Sequence, residues 1–258
     1  MTTRTANDQS NGSGDPGAPG EWFLLESPLM EYREAWELQC GLVDAKREGL
    51  MDRDVLMVLE HPPVFTLGRR GSKEHLRVKE TFLRSKGISL FHVERGGDVT
   101  YHGPGQIVCY PIVNMRRSRW RVLDFVEALE EVMIRTAGDW GIKAVRRSIN
   151  RGVWVGDRKL GSIGIAVRGG VSFHGLALNV NNSLEPFTWI DPCGLEGVLM
   201  VSMEALLGKK LPMKTVRQAL ITHAQDLFRA TFQRIRLKEI RDQLALIREN
   251  SGKELPHE

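Results

Sequence analysis

The sequence predicts a single α+β domain, and the distribution of its predicted elements along 258 residues is the reason. Short apolar segments typical of strands occur at the beginning and the end of the middle part of the chain. Segments with helical periodicity lie towards the two ends of the sequence. This order favours an α+β arrangement over a doubly wound parallel sheet. The length is sufficient for one large domain or two small ones with a substantial core.

The composition is that of an ordinary soluble globular protein, with 41% hydrophobic and 26% charged residues. No apolar run approaches the ~20 residues that a membrane-spanning helix needs. The N-terminus carries no charged segment followed by an apolar stretch, so no secretory signal is expected. The three cysteines, Cys40, Cys109 and Cys193, are odd in number and lack metal-ligand spacing. A reducing cytoplasm is therefore the expected compartment, with no disulfide framework.

The net charge is +4, with a sequence pI of about 9.0. Basic residues are concentrated at 69–70, 116–121, 146–147 and 209–210. These clusters are either solvated loops or a surface for an acidic partner, which would be a nucleic acid or an acidic protein.

The first predicted elements follow a polar tail. Residues 1–20 contain no Leu, Ile, Val or aromatic residue, so they are expected to form a disordered N-terminal tail. Ser27 and Pro28 are typical of a helix N-cap and first helical position. Residues with helical spacing follow them: Tyr32, Trp36, Gln39, Cys40 and Val43.

The middle of the chain predicts strands. The run VLMVLE at 55–60 predicts a buried strand, and the two prolines after it rule out a central strand over 61–70. Residues 91–113 predict three strands separated by glycine-rich turns. Residues 152–180 predict successive short strands, with turns at Gly156-Asp157 and at 168–170.

Helices are predicted in four places after residue 120. The clearest covers 121–138, where apolar residues recur at spacings of three and four. A short helix is predicted near 201–208. Amphipathic helices are predicted near 213–232 and 237–249.

Cys193 is the first candidate catalytic residue. It lies in WIDPCGLEG, between a proline and a glycine, whereas buried structural cysteines usually lie in apolar periodic runs. A free thiol is only a few per cent thiolate at neutral pH, so a catalytic cysteine needs a nearby cation, base or helix N-terminus. One ammonium about 4 Å away supplies up to ~4 kcal/mol at an effective dielectric near 20, which is enough without a triad. The alternative is an incidental loop cysteine.

Lys159 is the second candidate. In GDRKLGSIG it follows a tight turn and precedes an inward-pointing leucine, so partial burial is expected. Buried lysines change their pKa readily. The alternative is a solvated hairpin lysine.

The segment RGGDVTYHGPGQ at 95–106 is the third candidate, because paired glycines and polar side chains are costly in a purely structural loop. Its Gly96-Gly97 pair resembles an anion-binding turn only weakly, since the lysine and spacing of a P-loop are missing. His102 here and His174 in SFHGLALN are either general bases or orienting groups, or ordinary structural histidines.

Five segments together resemble one enzyme family. EHPPVFTLGR, RGGDVTYHGPGQIVCYP, RKLGSIG, FHGLALNV and DPCGLEG occur in the order and spacing of octanoyltransferases of the LipB type. The resemblance covers about residues 22–232. It implies the single-domain fold of biotin and lipoate protein ligases, with a mixed, mostly antiparallel sheet flanked by helices. The implied organisation is a tail at 1–20, a catalytic acyltransferase domain at 21–232 and a C-terminal helical extension at 233–258.

The resemblance also implies the activity. Such enzymes transfer an octanoyl group from octanoyl-acyl carrier protein to a lysine of lipoyl domains, in oxoacid dehydrogenase E2 subunits or the glycine cleavage H protein. Cys193 matches the nucleophile that carries the acyl group as a thioester, and Lys159 matches the residue that lowers the pKa of that cysteine. No cofactor, metal, nucleic acid or membrane partner is implied. The matching substrate-binding residues are Arg95, Gly96, Gly97, Asp98, Val99, Thr100, Tyr101, His102, Ser162, Ile163, Gly164, Gly175, Leu176 and Ala177.

Gly164 and Gly175 are expected to let backbone line an acyl slot without obstruction by side chains. Three rival functions remain open from the sequence. They are an ATP-dependent lipoate or biotin ligase of the same fold, a nucleic-acid-binding protein, and a Cys-His hydrolase that uses His102 or His174.

Overall fold

A nine-stranded mixed sheet forms the centre of the computed structural model, which describes residues 20–191 and 198–251. The strands of the described ranges are β1 (Gly20–Ser27), β2 (Asp54–Leu59), β3 (Val64–Leu67), β4 (Ser89–His92), β5 (Val99–His102), β6 (Gln106–Ile112), β7 (Val145–Arg146), β8 (Gly152–Val155), β9 (Arg158–Arg168), β10 (Val171–Asn179), β11 (Leu199–Met200) and β12 (Ala230–Arg234). The helices are α1 (Tyr32–Arg47), α2 (Glu80–Ser85), α3 (Val122–Gly138), α4 (Met203–Leu207), α5 (Met213–Phe228) and α6 (Leu237–Ser251).

The strand order of the large sheet is β12-β1-β2-β6-β10-β9-β8-β7, with β11 paired to β9. The pairs from β2 through to β7 are antiparallel. The β12–β1, β1–β2 and β11–β9 pairs are parallel. The predicted fold class, a mixed and mostly antiparallel sheet flanked by helices, is therefore confirmed.

Two helical layers cover the two faces of this sheet. In β2, Leu56 and Val58 belong to one apolar cluster together with buried residues of α3 and α5. Val55 and Met57 belong to another cluster with residues of α1 and α6. Because side chains alternate along a strand, a strand that is apolar at every position is buried on both faces. The continuous run at 55–59 thus explains the central position of β2.

A smaller three-stranded sheet in the described chain has the order β4-β3-β5 and its own apolar cluster. The turn between β4 and β5 joins it to the large sheet, because the Gly96 N–H donates to the Ile165 carbonyl of β9 at 2.8 Å. This junction leaves a cavity lined by residues of both sheets.

The structure corrects one predicted helix start and the predicted lack of a central strand over 61–70. Ser27 is the last residue of β1 and its hydroxyl donates to the Leu29 carbonyl, so helix α1 begins only at Tyr32. The segment after the two prolines does contain a central strand, since β3 lies between β4 and β5. The prolines precede β3 and therefore remove no donor from its ladder.

The predicted helix near 213–232 is also corrected, because α5 ends at Phe228. Arg229 takes a left-handed conformation with φ of 48° and ends the helix. Residues 230–234 then form β12, which pairs in parallel with β1. The predicted boundary between residues 232 and 233 thus falls inside a strand of the large sheet, and α6 follows this strand. The predicted N-terminal tail lies outside the described residues, apart from Gly20.

Candidate active site

A cavity of about 500 Å³ lies where the two sheets meet. Strands β9 and β10, the segment 95–102 and the loop 148–151 contribute to its lining. All of the predicted substrate-binding residues except Tyr101 line it: Arg95, Gly96, Gly97, Asp98, Val99, Thr100, His102, Ser162, Ile163, Gly164, Gly175, Leu176 and Ala177. The fold therefore gathers three segments that are separate in sequence around one space.

Tyr101 lies outside this lining, in contrast to the prediction. Its ring packs on Phe65 at 5.2 Å and edge-on against Phe187 at 5.5 Å between centroids. Side chains alternate along β5, so Tyr101 lies on the opposite face of the strand from Thr100 and His102. Tyr101 thus belongs to the core of the small sheet.

Arg95 is a buried residue that fixes the turn beside the cavity. Its Nε and both terminal nitrogens donate to the Thr66 hydroxyl, the Thr66 carbonyl and the Gly96 carbonyl at 2.7–3.1 Å. A Cβ at Gly164 would lie 3.1 Å from Arg95 Cδ and 2.8 Å from the Gly96 carbonyl. Gly164 therefore lets the turn approach β9 closely.

The interpretation of the glycines changes accordingly. A Cβ at Gly175 would lie 2.0 Å from the Cys109 carbonyl oxygen, so this glycine permits the close approach of β10 to β6. Gly164 and Gly175 both line the cavity, but at each position a neighbouring backbone carbonyl lies too close for a Cβ atom. Their absent side chains do not simply leave room for a ligand.

Lys159, the second residue of β9, is 1% exposed. Its Nζ donates to the Asn150 side-chain oxygen at 2.7 Å and lies 5.5 Å from the centroid of the Trp154 ring. Asn150 in turn lines the cavity. The expectation of a buried lysine is thus met, and its ammonium lies next to a residue of the cavity wall.

Cys193 lies outside the described residues, within 192–197. Both flanks of this segment are held in place. Before it, the Asp191 N–H donates to the His75 carbonyl and its carboxylate accepts from Arg77 Nε, at 2.9 and 2.8 Å. After it, β11 pairs in parallel with β9, and Met200 is in register with Lys159. The chain therefore returns from the segment beside the candidate lysine.

His102 lies at the start of a buried polar network. Its Nδ1 is 2.7 Å from the Gln106 side-chain oxygen, and the Gln106 amide donates to the Asn179 side-chain oxygen at 2.8 Å. The Asn179 amide continues to the Val201 carbonyl at 3.2 Å. The Val201 N–H donates to the Lys159 carbonyl at 2.9 Å. One chain of hydrogen bonds thus joins the cavity to the backbone of the candidate lysine.

Burial keeps the histidines of this region uncharged. It lowers the pKa of His102 to about 3 and the pKa of His61 to about 4. Burial also lowers the pKa of His174, whose Nε2 lies 3.6 Å from a Glu94 carboxylate oxygen. The nearby His174 ring is the main cause that lowers the pKa of Glu94 to about 2, and a hydrogen bond of 3.1 Å from Trp36 Nε1 adds to it. These imidazoles are therefore uncharged at neutral pH, and each still has one ring N–H that can donate a hydrogen bond.

Several cavity residues were not predicted from the sequence. Tyr32 of α1, Tyr110 of β6 and the loop residues Ser148 to Arg151 are the clearest of them. Strand alternation could have placed Tyr110 on the opposite face of β6 from Cys109. The loop carries no pattern that indicates its position before the fold is known.

Two of the four basic clusters contribute to clefts. Arg70, of the cluster at 69–70, is exposed and lines the open side of the cavity, as does the exposed Arg151. Residues 117–120 of another cluster line a second cleft, with Trp22 and Phe228. Across the described ranges, no group of three or more His, Cys, Asp or Glu side chains is arranged to hold a metal ion. No described helix has the length and apolar character to cross a membrane.

The matching family is the lipoyl protein ligase A/B catalytic domain, whose model covers residues 31–225. An octanoyltransferase of Desulfotalea psychrophila is 46% identical over 208 residues, which are 80% of this chain and 93% of that protein. An octanoyltransferase of Syntrophobacter fumaroxidans is 45% identical over 218 residues, or 84% of this chain and 95% of that protein.

Solved structures confirm the fold. A lipoate-protein ligase A bound with ATP superposes with a TM-score of 0.68 at 17% identity, covering 93% of this chain and 97% of that chain. A bipartite lipoate protein ligase of Thermoplasma acidophilum, described with its E2 lipoyl domain, gives 0.66 at 18% identity, over 91% and 93% of the chains. The chain belongs to the lipoyl protein ligase A/B catalytic family and, within it, to the octanoyltransferases, which are acyltransferases.

Proposed function

We propose that this enzyme transfers an octanoyl group from octanoyl-acyl carrier protein, through a thioester on Cys193, to a lysine of lipoyl domains, including those of E2 subunits and the glycine cleavage H protein. The observation that carries the proposal is the buried Lys159 ammonium, which is hydrogen-bonded to the cavity residue Asn150. The octanoyltransferase relatives support the acyl group, and the archaeal ligase described with its lipoyl domain supports the acceptor.

In the first step the Cys193 thiolate attacks the carbonyl carbon of the donor thioester. A new carbon–sulfur bond forms, the bond to the pantetheine sulfur breaks, and that sulfur leaves and takes up the proton that the Lys159 ammonium releases. An ammonium close to a thiol stabilises the thiolate, by up to ~4 kcal/mol for two unit charges 4 Å apart at an effective dielectric near 20. Lys159 supplies that charge from a position where water is excluded.

In the second step the acceptor amine attacks the acyl-enzyme. The amide carbon–nitrogen bond forms, the carbon–sulfur bond breaks, and Cys193 leaves as the thiolate. The amine must lose a proton on the way. Once the thiolate is consumed, the Lys159 ammonium has lost its counter-charge, which makes its proton easier to release. The neutral Lys159 amine can then act as the general base that accepts the proton of the acceptor amine.

The cavity suits the tail of the acyl group. Burial of about seven methylene and methyl groups at ~0.8 kcal/mol each contributes roughly 5–6 kcal/mol. Ile163, Gly164 and Leu176 of the paired strands β9 and β10 provide an apolar surface for such a chain. This energy is ample to favour eight carbons over four.

Intact-mass spectrometry tests the covalent step. After incubation with octanoyl-acyl carrier protein, the wild type should gain the mass of one octanoyl group, and Cys193→Ala should gain none. Cys40→Ala is the matched control, because Cys40 is a second, partly exposed cysteine and should leave the adduct unchanged. An undiminished transfer rate in Cys193→Ala would overturn the mechanism.

The main alternative is an ATP-dependent ligase of the same fold, which would activate free octanoate and would not need Cys193. Transfer from free octanoate that requires ATP would favour this alternative. Transfer from octanoyl-acyl carrier protein without ATP supports the proposed acyltransferase.

A further inference from the structure

The two ends of the cavity can be located along strand β9. Ser162 pairs with Gly152, and Ile165, three residues further along, pairs with His174 of β10. A Cβ on Gly152 would lie 2.8 Å from Lys159 Cε, so the lysine side chain reaches the level of Ser162. The Ser162 end of the cavity is therefore the end at which the candidate catalytic amine lies.

The Ile165 end is closed by a cluster of rings, formed by Tyr32, His61, His102, Tyr110 and His174. The Tyr110 and His174 rings meet edge to face at 6.3 Å between centroids. Tyr32 lies 5.1 Å from His61 and stacks on His102 at 6.2 Å with an interplanar angle of 9°. All of these rings are buried, and all except His61 line the cavity.

The ring cluster is fixed from behind. His61 bridges the Met30 carbonyl through Nδ1 at 2.7 Å and the Tyr110 hydroxyl through Nε2 at 2.8 Å. Tyr32 is backed by Phe91 at 5.3 Å between ring centroids. Buried, hydrogen-bonded side chains of this kind form a rigid wall, because moving one of them would leave a partner unsatisfied.

The distance along β9 between these two ends matches an eight-carbon chain. Three residues of a strand from Ser162 to Ile165 span about 10 Å at ~3.3 Å per residue. An extended eight-carbon chain with carbon–carbon bonds of about 1.5 Å spans roughly 9 Å. A chain attached at the Ser162 end would therefore end against the ring cluster.

We infer that the ring cluster limits the length of the acyl chain, and that Tyr32 is its main specificity-determining residue. This inference rests on the proposed acyl transfer. Tyr32 is the one ring of the cluster that lies on helix α1, and it contacts the cavity directly. His61, His102 and Tyr110 are each tied into side-chain hydrogen bonds, so their replacement would disturb the fold more than the length of the cavity.

The test replaces Tyr32 by leucine and measures transfer from octanoyl-, decanoyl- and dodecanoyl-pantetheine. Two further methylene groups can enter the space that the ring leaves, so the ratio of kcat/KM for decanoyl to octanoyl should rise at least about tenfold. Phe228→Leu is the matched control, since it removes a buried ring from the far end of α5, outside the cavity lining. Its chain-length profile should equal that of the wild type.

Tyr32→Phe keeps the ring and serves if Tyr32→Leu does not fold. It removes one terminal oxygen, so the decanoyl-to-octanoyl ratio should rise about threefold. The inference would be overturned if the decanoyl-to-octanoyl ratio is unchanged in every Tyr32 variant that folds. An equal rise of this ratio in Phe228→Leu would overturn it as well.

A binding measurement separates this inference from the proposed reaction. In the Cys193→Ala background, calorimetry with the same three acyl-pantetheines should show that Tyr32→Leu gains affinity for the longer chains. If the wild type transfers no acyl group but this binding shift is found, the proposed acyl transfer is wrong, whereas the limit on chain length by the ring cluster stands. If transfer occurs and neither readout shifts, the role of Tyr32 is wrong.

Discussion

Lys159 Nζ donates a hydrogen bond of 2.7 Å to the side-chain oxygen of Asn150, so a buried ammonium of strand β9 is held by the loop that lines the cavity. The bond has two consequences. It satisfies one of the three protons of an ammonium that water cannot reach, and it aims that ammonium towards the cavity. The neighbouring Trp154 ring adds a favourable contact with the positive charge.

Replacement of Asn150 by alanine should therefore reduce transfer without loss of the fold. A hydrogen bond to a charged group contributes about 1.5–3 kcal/mol, which corresponds to a tenfold to hundredfold lower kcat/KM. Asn150→Asp keeps an acceptor oxygen and should retain more activity than Asn150→Ala. Steady-state kinetics and the pH–rate profile of both variants check this, and equal kinetics in Asn150→Ala and the wild type would contradict it.

The donor should be recognised partly through charge. Arg70 and Arg151 are exposed at the open side of the cavity, and the donor proposed above, an acyl carrier protein, is expected to be acidic. Transfer from octanoyl-acyl carrier protein should slow with rising salt more strongly than transfer from octanoyl-pantetheine, because salt screens long-range attraction. The kcat/KM of both donors over a salt series measures the difference. Equal salt sensitivity would show that these arginines do not guide the donor.

The buried histidines predict a loss of stability in mild acid. Burial lowers the pKa of His102 to about 3 and of His61 to about 4, from 6.5 in each case. Below pH 6.5 the unfolded chain therefore binds protons that the folded chain does not. Above pH 6.5 the two histidines do not change the free energy of unfolding with pH. Below pH 6.5 each of them lowers this free energy by about 1.4 kcal/mol per pH unit.

The raised pKa of His75, caused mainly by its hydrogen bond to Asp98, adds stability that is lost as the pH rises above 6.5 and is nearly constant below it, so it does not offset this loss. The free energy of unfolding, measured by urea denaturation, should therefore fall by at least about 2 kcal/mol between pH 6.5 and pH 5. His61→Gln should show a shallower dependence on pH. A free energy of unfolding that stays constant over this range would contradict the prediction.

Two glycines offer a matched test of close backbone approach. Gly175→Ala would place a Cβ 2.0 Å from the Cys109 carbonyl oxygen, whereas Gly138→Ala in α3 meets nothing within 4 Å. Overpacking should cost Gly175→Ala at least about 1–3 kcal/mol of stability. Gly138→Ala should be neutral or stabilising by up to ~1 kcal/mol. Urea denaturation of both variants measures this, and similar stabilities would show that β10 can move away from β6.

Much of the sheet could be predicted because its turns depend on local sequence. Gly156, Gly169 and Gly170 have positive φ angles of 57°, 60° and 89°, which glycine adopts at little cost, so the β8–β9 and β9–β10 turns were indicated correctly. The end of α5 was missed because Arg229, which carries no such signal, takes the left-handed conformation there. Strand β12 was therefore merged with the preceding helix.

The candidate site could be located from its motifs but not completed from them. The segments 95–102, 162–164 and 175–177 meet around one cavity, apart from Tyr101, and their substrate-binding role stays a prediction. Tyr32 and Asn150 could not be predicted, because their places depend on how α1 and a loop dock onto the sheet. Such long-range packing leaves no periodic pattern in the residues concerned.

The pairing of β12 with β1 means that the C-terminal residues protect the edge of strand β1 from contact with other chains. Phe23 and Leu24 pair with Gln233 and Arg234, and the Leu24 carbonyl accepts the Ile235 N–H at 2.9 Å. A chain truncated after residue 232 would leave Phe23 and Leu24 of β1 without these partners at the edge of the sheet. Exposed margins of that kind recruit other chains and promote aggregation. Proteolysis near Arg234 should thus yield an insoluble enzyme even though every cavity residue is still present.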